Sequence, residues 1–526
     1  MGKPAMLFLA AALCLAAPTS RAEADPEGEG VDSTAVPEVT SGKFLTAEDL
    51  AHIEAALGYI DLTPQDLSFE KKLIDHRLRL SVVDRALDRP LELPGIAERS
   101  ADLFGAHLAG ARRSVHAGEL LDLDKSRWSH DETLKDAEEL ALRFRKLDEL
   151  SDMTQELTGE AELNRIQKQR EEALKELESF TIGRVLGDDA QAILDPEGDD
   201  EFSPFFYRLA ESLCVKLHAV ERAEREDTAP DRERLAAIIA SSLISEQPLS
   251  IPGGRIDPFY DTTGLADDVM ALDLAESFEL PGKLVAHAQL SAWLEAEAAR
   301  WSTRLNFPVL DEELSGKPVE VEGVTGNIYA AWQGDRGKIV IGGTGPNTYQ
   351  GDDFIAIIDL GGDDTYRGRV ASGIGMPGHS AVSFVLDMGG DDRYLGEDFT
   401  QGFGFLGVGI LWDLGGGDDT YKSRFCAQGM GLCGAGELHD DGGDDSYLAD
   451  SGAQGAAAFG YGQLFDNGGN DNYRGARFVQ GFAQVKGVGV LTDNDGNDSY
   501  FAGGKYLHEP LFNDRYQSLS QGFAIG

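Results

Sequence analysis

The chain has 526 residues, with 92 Asp and Glu against 46 Lys and Arg, and a formal net charge of −46. Nucleic-acid affinity rests on Lys and Arg that neutralise phosphates, so this balance argues against a nucleic-acid-binding protein. It also argues against electrostatic docking on anionic membranes. Hydrophobic residues make up 42% of the chain, which is enough for a folded core.

The N-terminal segment has the pattern of a secretory signal peptide. Lys3 precedes an apolar run from Ala5 to Ala17, and Ala22 and Ala24 stand at the −3 and −1 positions of a cleavage site. The run is shorter than the ~20 residues that a bilayer span needs, and no later stretch is long and apolar enough. We therefore expect a protein that is secreted, periplasmic or at the cell surface, without membrane insertion.

Glycine and acidic residues divide the rest of the chain. Residues 321–526 hold 45 of the 63 glycines, and they contain 24 Asp but only 4 Glu. Asp beside Gly is typical of turns and ion ligands, whereas the Glu, Lys, Arg, Ala and Leu of the earlier part favour helices. These differences predict four segments: a signal peptide over 1–24, a disordered acidic linker over 25–43, an all-α domain over 44–320, and a Gly/Asp-rich repeat domain over 321–526.

The predicted all-α domain carries apolar residues every three or four positions. Thr46 and Thr63 each stand before an acidic turn, where a helix is expected to begin. We predict a bundle of roughly six to nine helices. Its histidines lack metal-ligand spacing, and we interpret them as ordinary surface or core histidines; they are His76, His107, His116, His130 and His218.

Three cysteines follow the signal peptide: Cys214, Cys426 and Cys433. The odd number leaves at least one thiol unpaired within the chain. On one extended strand, Cys426 and Cys433 would lie ~23 Å apart, far beyond the reach of a disulfide. The chain is therefore not expected to be a disulfide-stabilised scaffold.

The second half contains six copies of an eight- or nine-residue motif of the form Asp-x-Gly-Gly-Asp/Asn-Asp-x-Tyr. Successive motif tyrosines are 28, 27, 26, 26 and 27 residues apart, and Gln-Gly and Gly-x-Gly-x-Leu motifs recur between them. Such a period indicates a solenoid of stacked units, and the many glycines argue against a helical repeat. Three short strands and three turns fit one unit. We predict a right-handed parallel β-helix with about 27 residues per coil, and hence an α+β multidomain protein.

Uniform columns of the repeat are expected to face the interior, and variable columns the outside. Gly409 and Leu411 belong to uniform columns. We expect the tyrosines to pack inward over the glycines, with their hydroxyls on the glutamine column. The variable columns place apolar side chains outward on one coil, which predicts an exposed docking patch. This patch consists of Phe403, Phe405, Val408, Ile410 and Trp412.

The first and last acidic positions of the motif are Asp in all six copies, whereas the middle position is Asn at Asn470 and Asn497. A turn that needs only a short polar side chain would accept Asn anywhere, so the retained Asp indicates that charge matters. Coils ~4.8 Å apart also bring like charges together, which costs about 3 kcal/mol per pair unless a cation intervenes. Ca²⁺ suits such a site; the alternative is an Asx turn in which each Asp caps local N–H groups in water. The candidate ligands are Asp359, Asp364, Asp387, Asp392, Asp413, Asp419, Asp440, Asp445, Asp466, Asp471, Asp493 and Asp498.

The repeat resembles the nonapeptide of repeats-in-toxin (hemolysin-type) calcium-binding proteins. Gly342 to Tyr349 has the pattern Gly-Gly-x-Gly-x-Asp, with Asn347 in place of the Asp, and the later motifs match its second half. The resemblance implies a calcium-stabilised β-roll in a secreted protein. Two departures, Asp-x in place of the leading Gly-Gly and a period near 27 rather than about 18, favour a three-sided relative. The ligand equivalents that it implies are Asp364, Asp392, Asp419, Asp445, Asp471 and Asp498.

The preferred interpretation is a secreted, calcium-binding, non-catalytic β-helix protein with a structural, adhesive or interaction role. A cell-surface polysaccharide or a protein would be its partner. The alternative is a carbohydrate-active enzyme, a polysaccharide lyase or hydrolase, because parallel β-helices are a common frame for such enzymes. The sequence from Gln521 begins another coil without a polar cap, so either this coil stacks on another molecule, or the helical half or a loop over 503–517 covers it. We predict self-association through this coil.

Overall fold

The fold is taken from a computed structural model. It describes residues 42, 44–68, 79–107, 109–123, 165, 168–169, 249–251, 254–256, 280–305, 321–334, 337–376, 379–508 and 512–525. The predicted signal peptide and nearly all of the predicted linker lie outside these residues, as do His76, His130, His218 and Cys214. Within the described part of the chain, no helix has both the length and the apolar character that a membrane crossing requires.

The described part of the first half is mainly helical. They are α1 (Ala47–Gly58), α2 (Ser81–Asp88), α3 (Leu93–Phe104), α4 (Gly110–Leu120) and α5 (Leu280–Leu305), with 3₁₀ turns at Pro64–Asp66 and Pro90–Glu92. Thr46 caps α1 as predicted, because its Oγ1 accepts the Asp49 N–H at 3.2 Å. Thr63 precedes only a 3₁₀ turn. An antiparallel hairpin of β1 (Leu249–Ile251) and β2 (Gly254–Ile256) also lies in this half, so the all-α prediction is confirmed only as the presence of helices.

The second half is a parallel β-solenoid with three sheets. In spatial order, sheet 1 contains β4 (Ile328–Gly334), β5 (Gly337–Gly342), β7 (Phe354–Asp359), β10 (Val382–Asp387), β14 (Val408–Asp413), β18 (Ala435–Asp440), β21 (Tyr461–Asp466) and β24 (Val488–Asp493). Sheet 2 contains β3 (Val324–Thr325), β6 (Thr348–Gly351), β8 (Thr365–Gly368), β11 (Arg393–Leu395), β15 (Thr420–Lys422), β19 (Ser446–Leu448), β22 (Asn472–Gly475) and β25 (Ser499–Ala502). Sheet 3 contains β9 (Ser372–Ile374), β13 (Phe403–Phe405), β17 (Gly431–Leu432), β20 (Ala457–Ala458), β23 (Ala483–Gln484) and β28 (Ala524–Ile525).

Two smaller strand pairs complete the solenoid. Strand β12 (Asp398–Thr400) pairs in parallel with β16 (Phe425–Ala427) beside sheet 3. An antiparallel hairpin of β26 (Leu507–His508) and β27 (Phe512–Tyr516) lies between the last strand of sheet 2 and the last strand of sheet 3. At the other end, β3 and β4 pair antiparallel with β6 and β5, so the parallel stack begins with reversed strands.

The predicted period of about 27 residues is confirmed by strand register. Leu411 lies beside Leu438 in sheet 1, and Tyr394 lies beside Tyr421 in sheet 2. The first coil is shorter, because Tyr349 and Tyr366 are paired in register although only 17 residues separate them. That coil passes from sheet 1 to sheet 2 and back without a strand in sheet 3. The three-sided repeat therefore starts after a two-sided one.

The interior follows the predicted column rule. Leu411, Leu438 and Leu464 form one apolar cluster with the motif tyrosines from Tyr366 to Tyr473, which are completely buried. The tyrosine rings are stacked, with centroids 4.5–5.0 Å apart along the column from Tyr349 to Tyr500. The terminal ring of Tyr500 is 42% exposed, since no further coil covers it. Stacked rings and leucines thus fill the solenoid between sheets 1 and 2.

The prediction of an exposed apolar patch is wrong, because helices of the same chain cover part of it. Val408, Ile410 and Trp412 are buried in a cluster with Val115 of α4 and Leu290 of α5. The other two residues of the predicted patch, Phe403 and Phe405, are buried in a separate cluster around sheet 3. Outward apolar side chains on sheet 1 and the apolar faces of α4 and α5 remove each other from water, which is the main favourable term in such packing.

Candidate metal centre

From β7 onward, the acidic motif forms the turn that leads from each strand of sheet 1 to the next strand of sheet 2. The first Asp of the motif ends the sheet 1 strand, and its Oδ1 accepts the N–H two residues on: Gly389 donates to Asp387 at 2.9 Å, and Gly442 donates to Asp440 at 2.8 Å. Gly389 and Gly390 have φ values of 127° and 155°, a region that suits glycine. A Cβ on Gly390 would overlap the carbonyl of Gly362 in the adjacent coil. The Gly-Gly pair therefore lets neighbouring turns stack closely.

The remaining oxygen of the first Asp accepts a tyrosine hydroxyl. Tyr394 donates to Asp413 Oδ2 at 2.8 Å, and Tyr421 donates to Asp440 Oδ2 at 2.5 Å. The expectation that these hydroxyls meet the glutamine column is therefore wrong. The glutamines bond to backbone instead: Gln401 Nε2 donates to the carbonyl of Tyr394 at 2.8 Å. The first-Asp column consists of Asp359, Asp387, Asp413, Asp440, Asp466 and Asp493.

The last Asp of the motif has one satisfied oxygen and one unsatisfied oxygen. Oδ1 of Asp419 accepts the Asp392 N–H at 2.5 Å, and Oδ1 of Asp445 accepts the Asp419 N–H at 2.6 Å, so each contact joins two coils. The other oxygen, Oδ2, is buried without a hydrogen-bond partner in all but the terminal copy. The last-Asp column consists of Asp364, Asp392, Asp419, Asp445, Asp471 and Asp498. A buried polar atom without a partner costs about 1–3 kcal/mol, and more when it is charged.

The two Asp columns converge in the interior. Oxygens of Asp387, Asp392 and Asp413 lie within 4.8 Å of one another. The same limit holds for three further triads that alternate between the columns: Asp359, Asp364 and Asp387; Asp419, Asp440 and Asp445; and Asp445, Asp466 and Asp471. The structure therefore brings the predicted ligands together in buried groups of three. In the terminal coil, Asp493 and Asp498 are only partly buried.

Burial and like charge disfavour ionisation of these carboxyl groups. Burial, together with the neighbouring carboxylate of Asp387, raises the pKa of Asp413 to about 7. Burial and the charges of Asp387 and Asp413 raise the pKa of Asp392 to about 11. At neutral pH, a triad of this kind must hold either protons or a cation, because three adjacent buried carboxylates would repel one another.

Asn347 shows how a neutral side chain satisfies the same position. It occupies the place of the last Asp in the first coil, and its N–H donates to Asp364 Oδ1 at 2.5 Å. Its Nδ2 donates to Asp359 Oδ2 at 3.0 Å, where an Asp has an unpartnered oxygen. If hydrogen bonding were the only requirement at this column, Asn would satisfy it better than Asp.

The middle acidic position is exposed, and this explains why it accepts Asn. Asn470 Nδ2 donates to Asp444 Oδ1 at 2.8 Å along an exposed ladder. Water solvates either side chain there, so the choice between Asp and Asn costs little. The distinction that the sequence makes between middle and flanking positions thus coincides with exposure and burial.

A second group of polar residues, which the sequence-based reasoning missed, lies between the helices and sheet 1. Arg113 of α4 and Glu437 of β18 form a fully buried ion pair at 2.6 Å, and His287 of α5 approaches the same carboxylate at 3.2 Å. Burial raises the pKa of Glu437, but the charge of Arg113 and the close approach of His287 outweigh it, so this pKa lies well below its usual range. One feature of the sequence could have indicated this ion pair: Glu437 is the charged residue in a column whose other members are Ile410, Gln463 and Val490.

A third polar group adjoins this ion pair. His107, interpreted from the sequence as an ordinary histidine, lies 2.6 Å from Asp441, and His439 lies 2.9 Å from the same carboxylate oxygen. His116 bonds to Ser100 at 3.0 Å, which fits a core histidine. Cys426 and Cys433 are both free and buried.

No protein-family model, curated protein or solved structure matches this chain. The resemblance to repeats-in-toxin proteins therefore rests on the motif alone, while the parallel β-solenoid and its period rest on the structure.

Proposed function

We propose that this protein is a secreted, calcium-binding β-solenoid with a structural, adhesive or interaction role and no catalytic activity. The observation that carries the proposal is the row of buried Asp Oδ2 atoms without a partner, each set among other carboxylates. We also propose right-handed coiling, the usual sense for parallel crossovers.

The internal comparison with Asn347 favours a cation over simple turn capping. Asn347 Oδ1 accepts the Asn327 N–H at 2.7 Å, as the Oδ1 of each last Asp accepts an N–H of the preceding coil, so capping does not require the charge. Asn347 even supplies the donor that the unpartnered oxygen lacks. A cation in each triad would need the carboxylate charge, which would explain why the six following copies have Asp at this position.

The donor set fits calcium. The triads offer carboxylate oxygens only, and Ca²⁺ takes six to eight oxygen ligands, with carboxylates binding through one or two oxygens. Mg²⁺ is a poorer fit because it usually keeps several waters, for which a column packed with tyrosine rings leaves little space. Calcium would also remove the like-charge repulsion between stacked coils.

The proposed role follows from rigidity. Cations between coils would fix the repeat spacing and present an ordered outer surface to a cell-surface polysaccharide or a protein partner. The two proposals of calcium binding and partner binding are separable, because a calcium-stabilised solenoid could serve any of several partners.

Thermal unfolding of the full chain at about pH 7.5, with calcium or with a chelator, tests the proposal. One site held at 100 times its dissociation constant adds about 2.7 kcal/mol, or roughly 5–11 °C in Tm for a domain of this size. Several triads should together raise Tm by more than this. Magnesium should have a much smaller effect.

A matched pair of variants tests whether the calcium-dependent rise in Tm comes from the Asp triads. Asp392→Asn removes one unpartnered oxygen and supplies a donor as at Asn347, so it should stabilise the chelated protein and reduce the calcium-dependent rise in Tm. Asp391→Asn changes the exposed neighbour and should leave both values unchanged. An equal calcium response in Asp392→Asn and the parent, or no response in either, would refute calcium binding at the triads.

A further inference from the structure

Two residues on the outer face of one coil depart from the repeat. His439 stands in register with Trp412 and Phe465 of the adjacent strands. Asp441 follows the first Asp of its motif, where neighbouring coils have Leu414 and Asn467. Its N–H continues the same backbone ladder by donating to the backbone carbonyl of Asp413 at 3.0 Å. The coil itself therefore does not require a histidine or a carboxylate at these positions.

The helical part of the chain brings a third residue to the same place. His107 lies in the connection between α3 and α4, and its Nε2 is 2.6 Å from Asp441 Oδ1. The Nε2 of His439 approaches the same oxygen at 2.9 Å, and the two imidazole centroids are 5.6 Å apart. Arg113 Nη1 donates to the carbonyl of Ala106 at 2.7 Å, which fixes the connection next to His107.

We propose that His107, His439 and Asp441 form a transition-metal site that takes Zn²⁺ and joins the helices to the solenoid. One ligand atom of each residue lies within 4.8 Å of the other two. Two imidazole nitrogens and one carboxylate oxygen suit Zn²⁺, whereas Ca²⁺ prefers oxygen alone. The site is thus chemically distinct from the Asp triads.

The distances suit a tetrahedral ion after a small adjustment. Zn²⁺ lies about 2.0–2.1 Å from nitrogen and oxygen ligands, which places neighbouring ligand atoms about 3.3 Å apart. The N···O contacts of 2.6 and 2.9 Å would widen by roughly half an ångström. His107 and Asp441 have side chains that are 37% and 24% exposed, so they have room to move and leave one coordination position facing solvent.

Neighbouring side chains hold His439 in place and leave the negative charge of Asp441 for the ion. His439 is fully buried between the rings of Trp412 and Phe465, with centroids 5.0 and 4.6 Å away. The nearby charge of Arg113 is paired with Glu437 at 2.6 Å. The carboxylate of Asp441 is therefore available to the metal. Without a metal, the same three residues would form only a His–Asp–His hydrogen-bonded clamp.

Cobalt titration of the full chain tests the site, because Co²⁺ with nitrogen ligands in a four- or five-coordinate site absorbs visible light strongly. Calcium is kept in excess to occupy the Asp triads. The variants His439→Phe and Asp441→Asn carry the residues of the next coil and should keep the fold. We expect intense Co²⁺ bands that Zn²⁺ abolishes, and each variant should weaken binding more than about 100-fold, the upper range for loss of an outer partner.

Two controls make the outcome specific. His379→Ala changes a histidine elsewhere on the solenoid and should leave the Co²⁺ spectrum and affinity unchanged. His107→Gln alters only the partly exposed connection, so its loss of binding with an unchanged Tm in metal-free buffer would support ligation. Absence of the bands in the parent, or equal affinity in the parent, His439→Phe and Asp441→Asn, would overturn the proposal and leave a hydrogen-bonded clamp.

Discussion

Tyr421 donates a hydrogen bond of 2.5 Å to Asp440, 19 residues later in the chain and one coil further along the solenoid. Its ring is meanwhile stacked between Tyr394 and Tyr447, at 4.8 Å from each. One side chain thus links three coils, by stacking and by hydrogen bonding. Stability of the solenoid should depend on both contacts.

Tyr421→Phe separates these contributions, because it keeps the ring and removes the hydroxyl. We expect a loss of about 1–3 kcal/mol in the free energy of unfolding, since Asp440 Oδ2 loses its donor while buried. Urea unfolding of the chelated protein gives this value. Tyr59→Phe is the control, because Tyr59 is 91% exposed and its change should cost less than about 0.5 kcal/mol. Equal stability of the two variants would contradict a structural role for the Tyr–Asp ladder.

The chelated protein should lose stability as the pH rises towards neutrality. Burial raises the pKa of Asp387 to about 6 and that of Asp413 to about 7, so the folded chain keeps protons that the unfolded chain releases. The stabilisation from these protons is complete below about pH 4 and disappears as pH rises through the folded values. Tm measured from about pH 4.5 to 8 should therefore fall in chelator, and calcium should flatten the curve. A chelated Tm that is constant or rises over this range would contradict the raised pKa values.

The sequence predicted the solenoid well because its columns are local and repeated. The Leu411 column and the tyrosine column were recognisable as interior positions from uniformity alone, and both are buried. The partner of the tyrosine hydroxyl was predicted wrongly, since the path of the turn decides whether Gln401 or Asp413 lies opposite Tyr394. No periodic signal specifies that path.

The packing of helices on sheet 1 could not be predicted from the sequence, for a different reason. Arg113 and Glu437 are 324 residues apart in sequence, and neither belongs to a repeat that contains the other. Neither half of the sequence indicated a contact with the other half, so Trp412 was predicted to point into solvent. The visible signals were single departures, Glu437, His439 and Asp441, within otherwise regular columns. Such departures indicate where a repeat surface contacts something outside the repeat.

Trp412→Ala tests how strongly the helices pack on sheet 1. The indole is fully buried beside His439 and in the cluster that includes Val115 and Leu290. Truncating such a side chain typically costs about 3–5 kcal/mol. We expect this loss in urea unfolding, together with increased amide hydrogen exchange in α4. Trp412→Phe should lose less than half as much. A loss below about 1 kcal/mol for Trp412→Ala would show that the helices do not pack stably on the sheet.

The Arg113–Glu437 pair should be needed as a pair rather than as two separate charges. Arg113→Met leaves Glu437 buried without its main partner, which typically costs about 3–5 kcal/mol, whereas replacing both partners by apolar residues is often close to neutral. We therefore expect Arg113→Met to be strongly destabilising and the double variant Arg113→Met with Glu437→Leu to recover most of the loss.

Glu437 has a depressed pKa, so the contribution of the pair to stability is present above the unfolded value near pH 4.5 and is lost only as the pH falls further. The parent should accordingly lose helix packing below about pH 4, as seen by hydrogen exchange in α4, and the double variant should not. If the single and double variants are equally unstable, the ion pair is not what holds Arg113 against the sheet.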